Sequence, residues 1–575
     1  MRRDGRQMVC LGICDSQDAG AALFVGSELI AAVNEERLNR EKLWGGFPAR
    51  SIQTVLELAG IPPSRVDVVV VGTSITPNVL MRLFRGPHQA LRRSTGQFGY
   101  LLNLFIAYQA LARKTVLPMK AEAALARAVL GWSLRRMGVS ADLVSVDHHL
   151  AHAWAAFATS PFDECLVVTS DGLGDGLGVT VSVGRREQGL RRVFEQSGFS
   201  ALTLYYSRLT EALGFTPIKD EGKVCGLAAY GRSTPLLWDA RRMLRTTNGR
   251  FNVQNHLLPA SKDDPPYSKF SGYPREDVAL SFQEHFEEVM AQFVDYWLRR
   301  TGMRNLAVAG GSFANVKMNQ RLAELESVDE LWVFPHMGDG GLAVGGCASY
   351  LSLDPTSLQH VFYGPDIDPD RAEQVLRRAG LMFTRPRRLF SEVARKLAQK
   401  RTVAWCSGRM EFGPRALGNR SILFHAADPT TIDWLNNRLR RSKFMPFAPA
   451  VLERAADEYL VGTHKARHAA RFMTVSFNVT DKMRTLYPGA VHVDGTARPQ
   501  LVDEQGSPNL YGVLTEYERL TGCPVLINTS FNMHEEPIVC SETDAVRAFL
   551  QAQLDYLVLG PFLTWREGGA NGDSG

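Results

Sequence analysis

The chain has 575 residues, more than one hydrophobic core usually organises, so two or more domains are expected. Hydrophobic residues make up 45% and charged residues 22%, a balance that excludes fibrous and extensively disordered classes. The 65 basic residues are interleaved with 60 acidic ones for a net charge of +5, which argues against a nucleic-acid-binding surface.

The N-terminus, "MRRDGRQMVCLGICD", begins basic, but its apolar run is short and meets Asp15 too soon for a signal peptide. Eight cysteines (Cys10, Cys14, Cys165, Cys225, Cys347, Cys406, Cys523 and Cys540) lie singly in apolar stretches without a C-x-x-C pair, which suits a reducing cytoplasm. From Val9 the chain reads as a strand ending at Asp15 and Asp18, then two strands joined across "GSE". The segment from Cys165 repeats this plan, with Asp171 and Gly172 at the end of its first strand and a glycine-rich turn after it. One βββ unit used twice is the expectation.

Between the two units, residues 76–138 mix Arg82, Arg85, Arg92 and Arg93 with "FGYLLNLFIAYQALA", which reads as amphipathic helix. That apolar run is shorter than the roughly 18 to 20 residues that span a bilayer and contains Asn103 and Gln109, so a cleft-lining helix is expected ahead of a membrane-surface contact. In "SVDHHLAHAWAAF", His148 and His152 fall four apart on one helix face, with His149 pointing elsewhere. Such a pair also occurs in ordinary cores, but with a carboxylate it makes a facial set typical of Fe2+ or a similar divalent ion. Asp339 is the leading carboxylate.

Two apolar strands, "LAVAGG" and "LWVFPHMGDGG", each end in glycines and enter a helix, placing Gly310, Gly311, Asn315 and Gly338 where backbone amides can approach an anion or a purine. From about residue 385 the chain starts again with a helix and a strand, then "MEFGPRALGNRSIL". Arg415 and Arg420 flank a bend fixed by Gly413, Pro414 and Gly418, and two rigid guanidinium forks suggest an anionic substrate. Arg440, Arg441, Lys443 and Arg498 follow, and Thr529, Ser530 and Asn532 close a buried strand, so one shared pocket is expected.

Taken together, "VDHHLAHAWAAF", "DEGKVCGLAAYG", "AGGSFAN", "GDGGLAVGG", "EFGPRALGNRSIL", "MPFAPAVL", "DGTARPQLV" and "INTSFNMHEEPIVCS" resemble the O-carbamoyltransferases of the nodulation-protein U and cephamycin type, which also decorate antibiotics. The resemblance runs from about residue 9 to 565. It implies an α/β protein with an N-terminal actin-like (ASKHA, duplicated RNase H-like) domain over residues 1–365, with 76–138 as an insertion. A C-terminal YrdC-like domain over 385–565 and a disordered tail, 566–575, would follow.

The implied reaction forms carbamoyl-adenylate from ATP and carbamoyl phosphate, then passes the carbamoyl group to a hydroxyl. ATP and carbamoyl phosphate are then co-substrates, with Mg2+ accompanying ATP. The resemblance assigns the metal to His148, His152 and Asp339, and nucleotide to Asp171, Gly172, Lys223, Gly310, Gly311, Asn315, Gly338 and Arg498. Carbamoyl phosphate falls to Arg415, Arg420, Arg440, Thr529, Ser530 and Asn532. The catalytic position holds Asp15, Gln17 and Asp18. Relatives commonly carry His-Asp where this chain has Gln17-Asp18, and glutamine cannot act as a base, which leaves Asp15 or metal-assisted activation. Met445 stands where relatives carry an arginine, and Arg440 takes the role of a neighbouring lysine.

The expected partner is a small-molecule natural-product acceptor, a large macrolide- or ansamycin-like molecule lined by the insertion. No nucleic acid and no stable membrane insertion are expected, and a homodimer is compatible. Two rival readings are an actin-like kinase or ATPase that never uses carbamoyl phosphate, and a non-catalytic nucleotide-binding partner.

Overall fold

A computed structural model describes residues 2–3, 6–75, 77–84, 108–109, 111–113, 117–253, 270, 272–428, 435–436, 438–439 and 447–566. Two compact units emerge: Met1–Glu35 with Leu43–Leu358, and Glu36–Lys42 with Gln359–Gly575. The short segment Glu36–Lys42 leaves the first unit and returns to it, a feature outside the linear division read from sequence.

In the first unit, β1 (Val9–Cys14), β2 (Gly20–Val25) and β3 (Glu28–Asn34) form an antiparallel meander, and β4 (Val68–Val71) and β5 (Asp142–Ser145) extend it in parallel. The sheet order is β3-β2-β1-β4-β5. Helix α1 (His148–Ala158) follows, and the plan then repeats. The strands β6 (Glu164–Gly174), β7 (Leu177–Arg185) and β8 (Gly189–Ser197) make a second meander, joined in parallel by β9 (Asn305–Ala309) and β10 (Glu330–Val333) in the order β8-β7-β6-β9-β10. Both βββ segments picked out in the sequence therefore open a mixed five-stranded sheet.

The inner parallel strand β4, "VVVV", is an apolar run buried throughout, as expected where both faces of a strand are covered. Helix α2 (Leu342–Leu351) is built from small residues so that it can pack closely against both β1 and α1. Gly345 permits the second contact, since a Cβ there would lie 1.9 Å from the Ala151 carbonyl oxygen.

Beside a two-stranded pairing of Phe477–Asn478 with Thr496–Ala497, the second unit is built on a mixed sheet of eight strands. In chain order they are β11 (Met382–Thr384), β12 (Val403–Cys406), β13 (Arg420–His425), β14 (Ala448–Leu452), β15 (Gln500–Val502), β16 (Val525–Ser530), β17 (Tyr556–Leu559) and β18 (Phe562–Trp565), arranged β11-β18-β17-β12-β13-β16-β14-β15. Helices α3 (Leu389–Ala398) and α4 (Pro508–Thr521) lay Val393, Leu397, Val513 and Leu514 on Trp405, Leu452 and Leu526. Each such aliphatic side chain contributes about 1.5–3 kcal/mol on burial. Among the described residues no helix is long and apolar enough to cross a membrane. Most of the apolar run from Phe98, with Arg85, Arg92 and Arg93, lies outside the described residues, as do Arg440, Met445 and residues 567–575 of the expected tail.

Candidate metal centre and anion loop

Helix α1 starts at Asp147, whose side chain accepts from the Leu150 amide at 3.0 Å. Arg113 and Arg192 pair with the same carboxylate. Burial works against its charge, but Arg192 and Arg113 more than offset this and hold the carboxyl well below its usual range. The cap fixes which residues face inward. His148 and His152 share a face with ring centroids 4.7 Å apart. His149 turns away: its Nε2–H donates to the Leu177 carbonyl at 3.1 Å, and Nδ1 lies 2.7 Å from the Thr169 hydroxyl. Burial, with His148 and His152 adding to it, pushes this imidazole down to about 3, so it is a neutral structural residue.

Two carboxylates meet the histidine pair. Asp171 on β6 lies 3.0 Å from His148 Nε2 and 3.8 Å from His152 Nε2; Asp339, on the turn entering α2, lies 3.7 Å from both. All four ligand atoms fall within 4.8 Å of one another. Gly174 leaves room for the His148 ring, because a Cβ there would come within 2.0 Å of it.

The charges in this cluster are mutually strained. Burial pulls His148 down, yet Asp339 and Asp171 outweigh it and raise the imidazole to about 9. Burial also disfavours charge on Asp171, but the hydrogen bond from His148 and the charges of His148 and His152 hold it well below the usual range; burial and the Asp171 charge push Asp339 up. Both ring nitrogens of His152 are buried without a hydrogen-bond partner among the described residues. Leaving a buried polar group unsatisfied costs about 1–3 kcal/mol. A divalent cation would supply that missing partner and neutralise the two acids, so two imidazoles and two carboxylates fit such an ion. The resemblance assigns Asp171 to nucleotide; its carboxylate lies within this cluster of possible metal ligands.

A residue the sequence reading missed supports this cluster. Asp175 is fully buried at φ 50°, and its carboxylate accepts from the Ser74 amide and hydroxyl, the Ile75 amide and the His148 amide at 2.8–3.0 Å. An aspartate flanked by glycines in "LGDGL" was the available signal, since Asp tolerates a left-handed turn and accepts from main-chain amides.

The other expected positions divide. Asp15 is buried and ion-paired at 2.8 Å with Arg82, whose guanidinium also reaches its second oxygen at 3.4 Å. Gln17 is half-buried beside Cys14, whose Sγ lies 3.5 Å from its carbonyl oxygen. Asp18 has φ 54° and lies 3.9 Å from Nε2 of His336, which in turn is 2.9 Å from Asn34 Oδ1. Neither Arg82 nor His336 stood out as a site residue in the sequence.

Among the expected nucleotide contacts, the Gly310 amide donates to the Met337 carbonyl and the Gly311 amide to Asp171. The Asn315 side chain caps a helix by accepting from the Met318 amide and is bonded to Gln283; Lys223 pairs with Asp220 at 2.8 Å. Gly172 and Gly338 have open space where a side chain would stand. Arg498 belongs to the other unit.

In the second unit the buried Glu411 organises the arginine loop by accepting from the amides of Leu417 (2.7 Å), Asn419 (2.9 Å) and Arg420 (3.2 Å). Gln500 donates to the Leu417 carbonyl and accepts from Asn528, which also reaches Ala416, so the loop is tied to β15 and β16. Arg415 and Arg498 are half-buried, as is Ser530, which sits opposite Ser421 in the sheet; Thr529 is buried.

Two expected ligands are spent elsewhere. Arg420 is wholly buried and donates to the carbonyls of Gly408, Asn419 and Pro365, so it staples the loop instead of presenting its fork to an anion. Asn532 donates to the carbonyls of Met533 and Glu536, closing its own turn.

Residues 9–348 match the family model described as carbamoyltransferase N-terminus, and residues 394–566 match the one described as carbamoyltransferase C-terminus. The chain belongs to the carbamoyltransferase family. This agrees with the resemblance carried by its motifs.

Nodulation protein NolNO of Sinorhizobium fredii is 33% identical over 567 residues, 95% of this carbamoyltransferase and 78% of that protein. Uncharacterized protein MJ1051 of Methanocaldococcus jannaschii is 29% identical over 568 residues, 96% of this chain and 99% of that one. A solved structure of full-length HypF, in a phosphate- and nucleotide-bound form, aligns at 12% identity and a TM-score of 0.33, covering 60% of this chain and 46% of that one.

Proposed function

We propose that this carbamoyltransferase is an ATP-dependent O-carbamoyltransferase, with residues 1–365 as the transfer domain and 385–565 as the activation domain. In the activation domain carbamoyl phosphate is cleaved by water to carbamate and phosphate. A carbamate oxygen then attacks the α-phosphorus of ATP, releasing pyrophosphate and leaving carbamoyl-adenylate. In the transfer domain an acceptor hydroxyl attacks the carbamoyl carbon, its proton leaves to a base, and AMP departs.

The observation that carries this reading is the His148, His152, Asp171 and Asp339 cluster in a chain matched at both ends by carbamoyltransferase models. Fe2+ or a similar divalent metal held by these four residues would supply Lewis acidity toward the carbamoyl carbonyl. The chain's own residues do the rest. Asp175 and Asp147 fix the helix that presents the histidines, and Asp15 and Asp18 stand at the end of β1 to receive the acceptor proton. Asp15 is held by Arg82, and Asp18 lies 3.9 Å from His336. Arg415 and Arg498 counter phosphate charge, and Ser530 offers a hydroxyl.

The repeated sheet order supports an actin-like first domain, and the glycine turns at Gly310 and Gly338 support nucleotide contact there. The acceptor in this reading is a natural product of macrolide or ansamycin type, and the setting is the cytoplasm. Incubating the metal-loaded protein with ATP, carbamoyl phosphate and such hydroxylated acceptors should yield a product heavier by one carbamoyl group, together with AMP. ATP turnover indifferent to carbamoyl phosphate would instead favour an actin-like kinase or ATPase.

A further inference from the structure

The second arginine of the anion loop, Arg420, has both Nη atoms donating to main-chain carbonyls, which leaves only its buried Nε without a hydrogen-bond partner among the described residues. A different guanidinium reaches the same loop. Arg37 lies in Glu36–Lys42, the segment that folds with the second unit although it precedes that unit by more than three hundred residues. Its side chain is 4% exposed, and its Nη2 donates to the carbonyl of Gly413 at 2.7 Å. Gly413 has φ 126° and stands two residues before Arg415, so this bond is made at the bend that aims Arg415.

The remaining donors of Arg37 are unevenly used. Its Nε lies 3.3 Å from Glu36, whereas Nη1 is buried with no hydrogen-bond partner among the described residues. Nη1 shares one rigid planar fork with Nη2, the atom that donates to this loop. A buried cationic donor without an acceptor is costly, and an oxyanion is the acceptor such a fork is built for.

The neighbouring Arg40 has a different task. It donates to the carbonyls of Ile538 and Pro537 and pairs with Asp544, which pins the segment in place and so holds Arg37 to Gly413.

We infer that Arg37 is an anion-binding residue of the second unit, contributing with Arg415 to recognition of a phosphate oxyanion, the phosphoryl group of carbamoyl phosphate. This rests on the activation chemistry proposed above. Arg37 takes the place that the sequence pattern suggested for Arg420.

The test uses the full chain and two probes, carbamoyl phosphate as substrate for pyrophosphate formation and inorganic phosphate as product inhibitor. Arg37→Ala should raise both the KM for carbamoyl phosphate and the inhibition constant of phosphate by about tenfold or more, with the KM for ATP within about twofold of the unchanged chain. Arg37→Lys should recover part of the loss. A folded Arg37→Ala variant with both constants unchanged would overturn the inference, as would a rise in the KM for ATP of equal size, which marks a merely structural strut.

If Arg37→Ala does not fold, Arg37→Lys decides alone. It keeps one donor for Gly413 and gives up the fork, so unchanged constants contradict the proposal and raised ones support it. If the unchanged chain makes no pyrophosphate, the activation chemistry fails instead. Calorimetric titration of inorganic phosphate then decides Arg37 separately: binding weakened by Arg37→Lys supports it, and binding that is absent or unaffected overturns it.

Discussion

The main-chain amide of His148 donates to the carboxylate of Asp175 at 3.0 Å, and the same oxygen takes the amide and hydroxyl of Ser74. Asp175 thereby sets the first turn of the helix that carries His148 and His152 of the candidate metal site. Asp175→Asn replaces one acceptor oxygen by a donor that faces other donors. It should cost about 1–3 kcal/mol of stability and weaken metal affinity about 10- to 100-fold. Denaturant unfolding and metal titration would check both; affinity unchanged would remove Asp175 from its supporting role.

His152 and His149 separate metal binding from packing. His152→Ala should abolish stoichiometric binding of a divalent ion while the far-ultraviolet spectrum is kept, because its ring nitrogens have no hydrogen bonds to lose. His149→Ala removes hydrogen bonds to Leu177 and Thr169 and leaves a cavity, so it should lower the unfolding midpoint while the protein still binds metal. Elemental analysis after dialysis, set beside thermal unfolding, would distinguish the two.

The histidine pair was legible in the sequence because helical period alone brings residues four apart together. Asp339 could be nominated from its glycine turn. Asp171 could not be read as a ligand, because only the packing of helix α1 across β6 brings its carboxylate beside His148. The two meanders were equally legible, since each is local hairpins with turn residues at their tips. Their parallel extensions pair strands well separated along the chain, such as Leu306 with Leu166, and the passage of Glu36–Lys42 into the second unit depends on contacts across hundreds of residues, such as Arg37 with Gly413. Arg420 misled for a related reason: its pairing opposite Cys406 at the start of β13 accompanies a side chain spent on main-chain carbonyls, an arrangement that composition does not reveal.

Arg415 and Arg420 should therefore fail in different ways. Arg420→Ala strips the carbonyls of Gly408, Asn419 and Pro365 of a buried cationic donor and should destabilise the second unit by about 3 kcal/mol or more. Arg415→Ala, at a half-buried position, should change the unfolding midpoint little and raise the KM for carbamoyl phosphate about tenfold or more. Equal thermal shifts in the two variants would contradict this division.

His425 gives the second unit an acid sensitivity of its own. Burial, with Lys400 adding to it and Asp428 opposing, pushes this imidazole down to about 4. The unfolded chain, near the ordinary value of about 6.5, thus binds the proton first as pH falls. Stability is fully present above that value and declines toward pH 4, by about 1–2 kcal/mol after allowance for solvent screening. Unfolding midpoints measured between pH 7 and pH 4 should fall less steeply in His425→Leu; identical slopes would rule this contribution out.

The most direct test of the whole account follows pyrophosphate and carbamoyl-adenylate by mass spectrometry after adding ATP and carbamoyl phosphate to the full chain and to its Arg415→Ala and His152→Ala variants. The account predicts that His152→Ala still makes both products, because activation belongs to the second unit, whereas Arg415→Ala loses them. Formation of neither product by the unchanged chain, or their loss in His152→Ala with Arg415→Ala active, would contradict the assignment of activation and transfer to separate sites.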